Sequence, residues 1–157
     1  WYIKYSIKRG KVVRDMSILS SASGASAWRG YEYYTKKRVK SVARTGDDTY
    51  EGEVTGASPV PYHVIINTAH IRQSKCNCPH ADGTRRICKH MVALYFTVFP
   101  EEAAQYIREV EEYEREEEAR QEEQERVLRE YIKSLSKKEL QEELYRVLTE
   151  LQERRYY

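Results

Sequence analysis

Phenylalanine is nearly missing from this 157-residue chain, with two copies against fourteen tyrosines. A tyrosine ring carries a hydroxyl that wants a partner, so many of these rings are expected half-buried or on a binding face. Long apolar runs are missing too. No stretch approaches 18 apolar residues and no secretory h-region is visible, so no segment reads as a membrane span. Because the first residue is Trp1 rather than Met, the start is read as trimmed or incomplete. The expected address is intracellular, in the cytoplasm. Cysteine is scarce at three copies, and an odd count excludes a framework made only of disulfides. No internal repeat is evident.

Apolar residues make up 40% of the chain and charged residues 33%, so the buried core is expected to be modest. The net charge of +2 conceals an asymmetry. Residues 1–90 hold 16 Lys and Arg against 7 Asp and Glu, whereas residues 91–157 hold 11 against 18. A basic half joined to an acidic half suggests a polyanion-binding unit with a helical appendage, although each sign can also simply solvate its own surface.

Periodicity divides the chain further. Ile3, Tyr5 and Ile7 alternate, Arg9-Gly10 can turn and Val12-Val13 follow, so residues 1–19 read as a hairpin. Ser20 to Ser26, "SSASGAS", reads as a linker ending in a helix cap. A short helix is expected from about Ala27 to Lys36, with Trp28, Tyr31 and Tyr34 spaced by three. Strands are expected at Val39–Arg44, within "TYEGEVT" (Tyr50, Gly52, Val54), in "YHVII" (Tyr62, Val64, Ile66) and from Ile71 into Cys76. Met91, Leu94, Tyr95 and Val98 then mark a helix that Pro100 interrupts. From Glu101 to about Lys133 there is neither Gly nor Pro, and the middle is almost entirely Glu, Gln and Arg. Pairs such as Glu111–Arg115, Glu116–Arg120 and Glu122–Arg126 lie four apart and each support a solvated helix slightly. "SKKE" at Ser136–Glu139 is a capping box opening a last helix with Leu140, Leu144, Val147, Leu148 and Leu151 on one face.

The chemistry concentrates in "CNCPHADGTRRICKH", residues 76–90, which contains every cysteine of the chain. Clustered Cys and His in a reducing compartment point to Zn²⁺, a borderline-soft ion that takes thiolates and imidazoles tetrahedrally. Residues two apart on a strand project to one side, so Cys76 and Cys78 can grip one ion from a strand end. Cys88 and His90 would point nearly oppositely within a helix. They converge only if Cys88 precedes the first helical turn and His90 lies just inside it. Pro79 and Gly83 let the intervening loop fold back. His80 is the alternative fourth ligand, since it closely follows Cys78-Pro79, while His63 and His70 read as surface residues. A redox cluster is the other reading of the three thiols. With four protein ligands a single structural zinc has no open position, and the His-x-Glu with Pro-Cys-x-x-Cys of zinc deaminases is absent, so no enzyme is expected.

The pattern Cys-x-Cys, nine residues, Cys-x-His resembles the SWIM zinc finger. Arg29-Gly30 and Tyr33-Tyr34 upstream, the strands leading into Cys76–Pro79, and Cys88-Lys89-His90-Met91 at the head of an apolar helix agree with it. The likeness runs from about Ala27 to Phe99, and "YIKSLSKKEL" (Tyr131–Leu140) resembles the segment that follows the finger in stand-alone bacterial members. The resemblance implies a compact β-β-α zinc module of the kind found in Swi/Snf-type ATPases, Mutator-class transposases and recombination factors. Its implied role is binding of DNA or protein. Helicase motifs and transposase carboxylates are absent here, so only the module is carried over.

The expected fold is therefore α+β: a small antiparallel sheet with a CxC…CxH zinc site leading into helices, and a long charged C-terminal helical extension. Residues 1–23 are read as a hairpin or linker, 24–99 as the zinc-binding domain, 100–133 as an acidic helix and 134–157 as an amphipathic helix. Two basic clusters accompany the site. Lys75, Arg85, Arg86 and Lys89 surround the ligands, and Lys36, Lys37, Arg38, Lys40 and Arg44 are interleaved with Tyr31, Tyr33 and Tyr34. Cations for phosphates beside rings that can stack on bases form a nucleic-acid footprint, DNA being the expected partner through backbone contacts. The rival expectation is a protein adaptor. There Leu140, Leu144, Val147 and Leu151, stepping by four, three and four, dock a partner or a second copy, unless they fold back on Tyr106–Tyr113.

Overall fold

The computed structural model describes residues 17–154. Most of the hairpin expected over residues 1–19 lies outside that range. The chain divides into two compact units, Trp1–Tyr106 and Ile107–Tyr157. The first is an α+β unit around a four-stranded antiparallel sheet of order β1-β2-β3-β4: Val39–Arg44, Thr49–Val54, Tyr62–Asn67 and Lys75–Cys76. Strand alternation sends Val54, Val64 and Ile66 inward, where all three are buried, and leaves Glu51, Glu53, His63 and Lys75 on the outer face.

Helices α1 (Ile18–Ser21) and α2 (Gly24–Thr35) precede the sheet, and α3 (Lys89–Val98) follows it. The described end of the expected hairpin and the stretch read as a serine-rich linker are instead two capped helical starts. Ser17 Oγ accepts from the Ser20 amide at 3.1 Å and Ser23 Oγ accepts from the Ser26 amide at 3.2 Å. Serine favours such caps over helix interiors because its hydroxyl satisfies an amide that the first turn leaves orphaned. Ile18 is 0% exposed and belongs to the core, and Ala22 bridges to Ile87 just before the last two zinc ligands.

The strand expected from Ile71 into Cys76 is also replaced. Ile71–Gln73 is a turn of 3-10 helix, and only Lys75–Cys76 pairs with β3. Side chains take over the ladder here: Ser74 Oγ accepts from the Asn67 amide and Asn67 Oδ1 from the His70 amide. Ile71 plugs into the core rather than extending the sheet.

Helix α3 is the hub. Every residue from His90 to Phe96 is buried, so it is apolar on all sides, as a helix enclosed by other elements must be. It packs against α2 and all four strands. Tyr31 and Tyr34 from α2 and Tyr106 close around Phe96, with ring centroids 5.4–6.0 Å away. Burial of each large side chain contributes on the order of 1.5–3 kcal/mol before entropy is counted. Two glycines permit the close approach. A Cβ on Gly30 would lie 2.5 Å from the Val92 side chain and 3.0 Å from the Lys89 carbonyl oxygen. On Gly52 it would lie 2.4 Å from the Ser41 carbonyl oxygen and 2.9 Å from Leu94.

Helix α4 runs over Pro100–Ser134 and crosses the boundary between the units; α5 runs over Lys137–Arg154. The capping box is present, with Glu139 accepting from the Ser136 amide at 2.8 Å and Ser136 Oγ from the Glu139 amide at 3.4 Å. The Glu–Arg pairs of α4 differ in detail from the expectation. Arg120 pairs with Glu117 rather than Glu116, and Arg126 with Glu123 and Glu130 rather than Glu122. No helix of the described residues is long and apolar enough to cross a membrane.

Gly30→Ala is expected to destabilise the fold by about 1–3 kcal/mol, because its methyl must displace Val92 inside a packed interface. Gly46→Ala, on an exposed turn where the nearest atoms are 3.4 Å away, should stay within about 0.5 kcal/mol. Denaturant titration of both variants checks the contrast, and equal tolerance would contradict this packing.

Candidate metal centre

Cys76 ends β4, opposite Val64, and Cys78 follows it two residues on. Between them Asn77 prolongs the pairing with β3: its Oδ1 accepts from the His63 amide at 2.9 Å, and its amide donates to the His63 carbonyl at 3.3 Å. The chain then reverses. The amides of Ala81 and Asp82 both donate to the Cys78 carbonyl, and Gly83 takes φ +65°, a left-handed value that glycine adopts without strain. Cys88 is the N-cap of α3, with extended backbone (φ −97°, ψ 166°), and His90 is in the first turn. This is the arrangement that Cys-x-His needs for its two side chains to converge.

They do converge. The ligand atoms of Cys76, Cys78, Cys88 and His90 all lie within 4.8 Å of one another, and all four residues are buried. His90 Nδ1 faces the sulfurs, 3.8 Å from Cys76 Sγ and 3.9 Å from Cys88 Sγ. His80, the alternative ligand, is exposed and outside the cluster.

The electrostatics call for a cation. The Cys88 thiol is lowered to about 4 by the hydrogen bond from Cys76, with further help from His90 and the Met91 amide. Cys76 and Cys78 move the other way. The hydrogen bond to Cys88, burial and its negative charge hold Cys76 well above the usual thiol range, and burial followed by the Cys88 charge raises Cys78. Three thiolates cannot share a buried site unaided, and a divalent ion reverses this logic by stabilising all three. Three sulfurs and one imidazole nitrogen, closed and tetrahedral in number, are the donor set of structural zinc.

Sequence reasoning missed the residues that hold the imidazole. Tyr62 stacks on His90 with centroids 4.6 Å apart, and Tyr33 meets it edge-on at 5.4 Å. Gly56 lies where the Tyr62 and His90 rings meet: a Cβ there would come within 2.5 Å of Tyr62 and 3.1 Å of His90 Nε2. Nε2 itself is buried without a hydrogen-bond partner among the described residues. A metal on Nδ1 puts the proton on Nε2, and an unpaired buried N–H costs about 1–3 kcal/mol, so the coordination must outweigh it. The only sequence signal for these supports was the abundance of tyrosine.

The basic residues are placed unequally. Arg38 and Lys89 both lie over the Tyr33 ring, at 5.0 and 4.5 Å from its centroid. Lys37, Lys40, Arg85 and Arg86 are exposed and have no ion pair among the described residues. Lys36 pairs with Glu32 at 3.5 Å. Arg44 binds the carbonyls of Gly46 and Asp47 and so braces the β1–β2 turn. Lys75 is on the outer sheet face, in a cleft with His63, Asn77, Asp82 and Thr84.

Residues 62–99 match the family model of the SWIM zinc finger. The matched segment holds all four ligands and the whole of α3, whereas α2 and its Arg29-Gly30 and Tyr33-Tyr34 pairs lie upstream of it. No curated protein matches the chain, and no solved structure does. The segment is thus a zinc-binding module with one structural zinc on Cys76, Cys78, Cys88 and His90.

Zinc is expected at one ion per chain. Structural zinc supplies on the order of 10–16 kcal/mol, which rivals or exceeds the whole stability of a small domain. Cys88→Ser, or a strong chelator, should therefore abolish the near-ultraviolet signal of the packed tyrosines while much of the far-ultraviolet helix signal of α4 and α5 survives. Retention of the near-ultraviolet signal after metal removal would contradict a structural role.

Proposed function

We propose that the zinc module binds nucleic acid, DNA in particular, mainly through the phosphate backbone, and performs no catalysis of its own. The observation that carries this reading is Tyr33. It gathers Arg38 from the first basic cluster and Lys89 from the second over one ring, and its edge rests on a zinc ligand. Two groups of cations far apart in sequence thereby meet beside the metal. Zn²⁺ with three thiolates carries a local charge of −1, which the surrounding cations exceed. Lys37, Lys40, Arg85 and Arg86 remain uncommitted, as a phosphate-binding surface requires. The outer sheet face, by contrast, bears Glu51 and Glu53, with Glu51 paired to His63 at 3.1 Å, and suits a polyanion poorly.

Backbone strain adds support. Helix α2 ends in a Schellman motif, with the Arg38 amide donating to the Tyr33 carbonyl and the Lys37 amide to the Tyr34 carbonyl. The residue at the left-handed position is normally glycine, yet here it is Lys37 at φ 50°. A strained backbone kept for the sake of a cationic side chain is consistent with use of that side chain. Four protein donors leave the metal no open position for substrate, and three buried free thiols suit a reducing, intracellular address.

A second reading, a protein adaptor, is favoured by α5. No residue of this helix is buried, and its seam runs from Leu140 at 42% exposed to Leu144 at 57%. A second copy of the same helix is the partner that a four-three-four spacing fits. Leu144→Glu with Leu151→Glu should convert a dimer to a monomer by light scattering without loss of zinc, whereas a monomeric wild type would remove this reading.

For DNA, the logarithm of affinity should fall linearly with the logarithm of salt. Charge reversal of Lys36, Lys37, Arg38 and Lys40 should weaken binding uniformly across sequences, and reversal of Arg85 and Arg86 should do so to a smaller degree. Lys37→Gly should raise stability by about 0.5–1 kcal/mol through relief of strain while it lowers affinity. Binding that ignores both clusters, or that depends strongly on sequence, would contradict the proposal.

A further inference from the structure

The loop between β2 and β3 carries a feature that phosphate contacts leave unused. Val60 is 68% exposed, the largest exposure of any large apolar residue described in the first unit. Isolated exposed apolar residues are common and by themselves mean little. Val60 differs in how it is held. Pro59 and Pro61 flank it and fix their own backbone angles, and the Val60 amide donates to Ser58 Oγ at 3.2 Å. Its side chain is β-branched and has little rotamer freedom.

Both ends of the loop are tied to the cationic site. At one end the Thr55 amide and hydroxyl both donate to the Arg38 carbonyl, at 2.9 and 3.1 Å. At the other end Tyr62 stacks on His90. Val60 is two residues from Tyr62, so their Cα atoms are at most about 7 Å apart. The apolar knob thus sits on a loop whose two ends are joined to residues of that site, Thr55 to the Arg38 carbonyl and Tyr62 to His90. Its ordering cost has been met in folding rather than at binding.

We infer that Val60 is a wedge that enters a base step of duplex DNA while the neighbouring cations hold the flanking phosphates. This rests on the nucleic-acid reading above and deepens it by naming the duplex as the ligand. Apolar wedges beside cationic side chains unstack a step and bend the helix, without base-specific hydrogen bonds. Such a wedge favours steps that part readily, pyrimidine–purine steps above all.

The test uses the full zinc-loaded chain and a short duplex with a central TA step, in which 2-aminopurine replaces the adenine and brightens on unstacking. Wild-type protein should raise the fluorescence at saturation. Val60→Ser should bind about tenfold more weakly, the equivalent of one buried valine side chain, with an unchanged salt slope and no rise in fluorescence. Val60→Ile should restore the rise. On the single strand alone the three proteins should bind equally. If wild type binds the duplex without unstacking it, or if Val60→Ser behaves as wild type, the wedge is overturned while the nucleic-acid reading survives, and the knob is assigned to an apolar socket on a protein. If wild type binds no duplex at all, both fall together.

Discussion

Three thiols buried within one small cluster repel one another as thiolates, and the low dielectric around them makes that repulsion severe. Cys88 ionises readily, while the hydrogen bond to it and burial keep Cys76 protonated, and burial together with the Cys88 charge keeps Cys78 so. A divalent cation turns this conflict into the strongest bond in the module. It ties the end of β4 to the first turn of α3, and through α3 it fixes the packing of α2 and the sheet. A domain with so modest a core has few other sources of comparable energy.

The same centre organises the surface. His90 stacks on Tyr62, with Gly56 close against both rings, and meets Tyr33 edge-on; Tyr33 in turn lies beneath Arg38 and Lys89. Loss of the metal would therefore release the cations as well as the core. Under the proposed nucleic-acid reading, structure and binding would be joined through a single aromatic ring rather than through the ion itself. In the second unit the forces differ. Exposed pairs such as Arg126 with Glu123 stabilise helical backbone only slightly and leave the apolar residues of α5 in solvent.

The ligand set was legible because spacing alone constrains it: Cys-x-Cys suits a strand end, and Cys-x-His works only across a helix start. Three of the four strands followed from period-two alternation, and α4 and α5 from unbroken helix formers and the Ser136–Glu139 box. The failures share a cause. Ser17 caps a helix where alternation suggested a hairpin, Ser23 caps one where a serine-rich composition suggested a linker, and Asn67 and Ser74 replace backbone pairing where alternation suggested a strand. In each case a polar side chain bonds to a nearby backbone group, which composition and periodicity do not register. Gly56 and the two tyrosines around His90 escaped for another reason, since only folding brings them together.

X-ray absorption at the zinc edge reads the coordination sphere itself. One zinc per chain is expected, with three sulfur neighbours at about 2.3 Å, one nitrogen at about 2.0 Å and no water in the coordination sphere. Two sulfurs with oxygen ligands, or a purified, folded chain that holds no zinc, would contradict it.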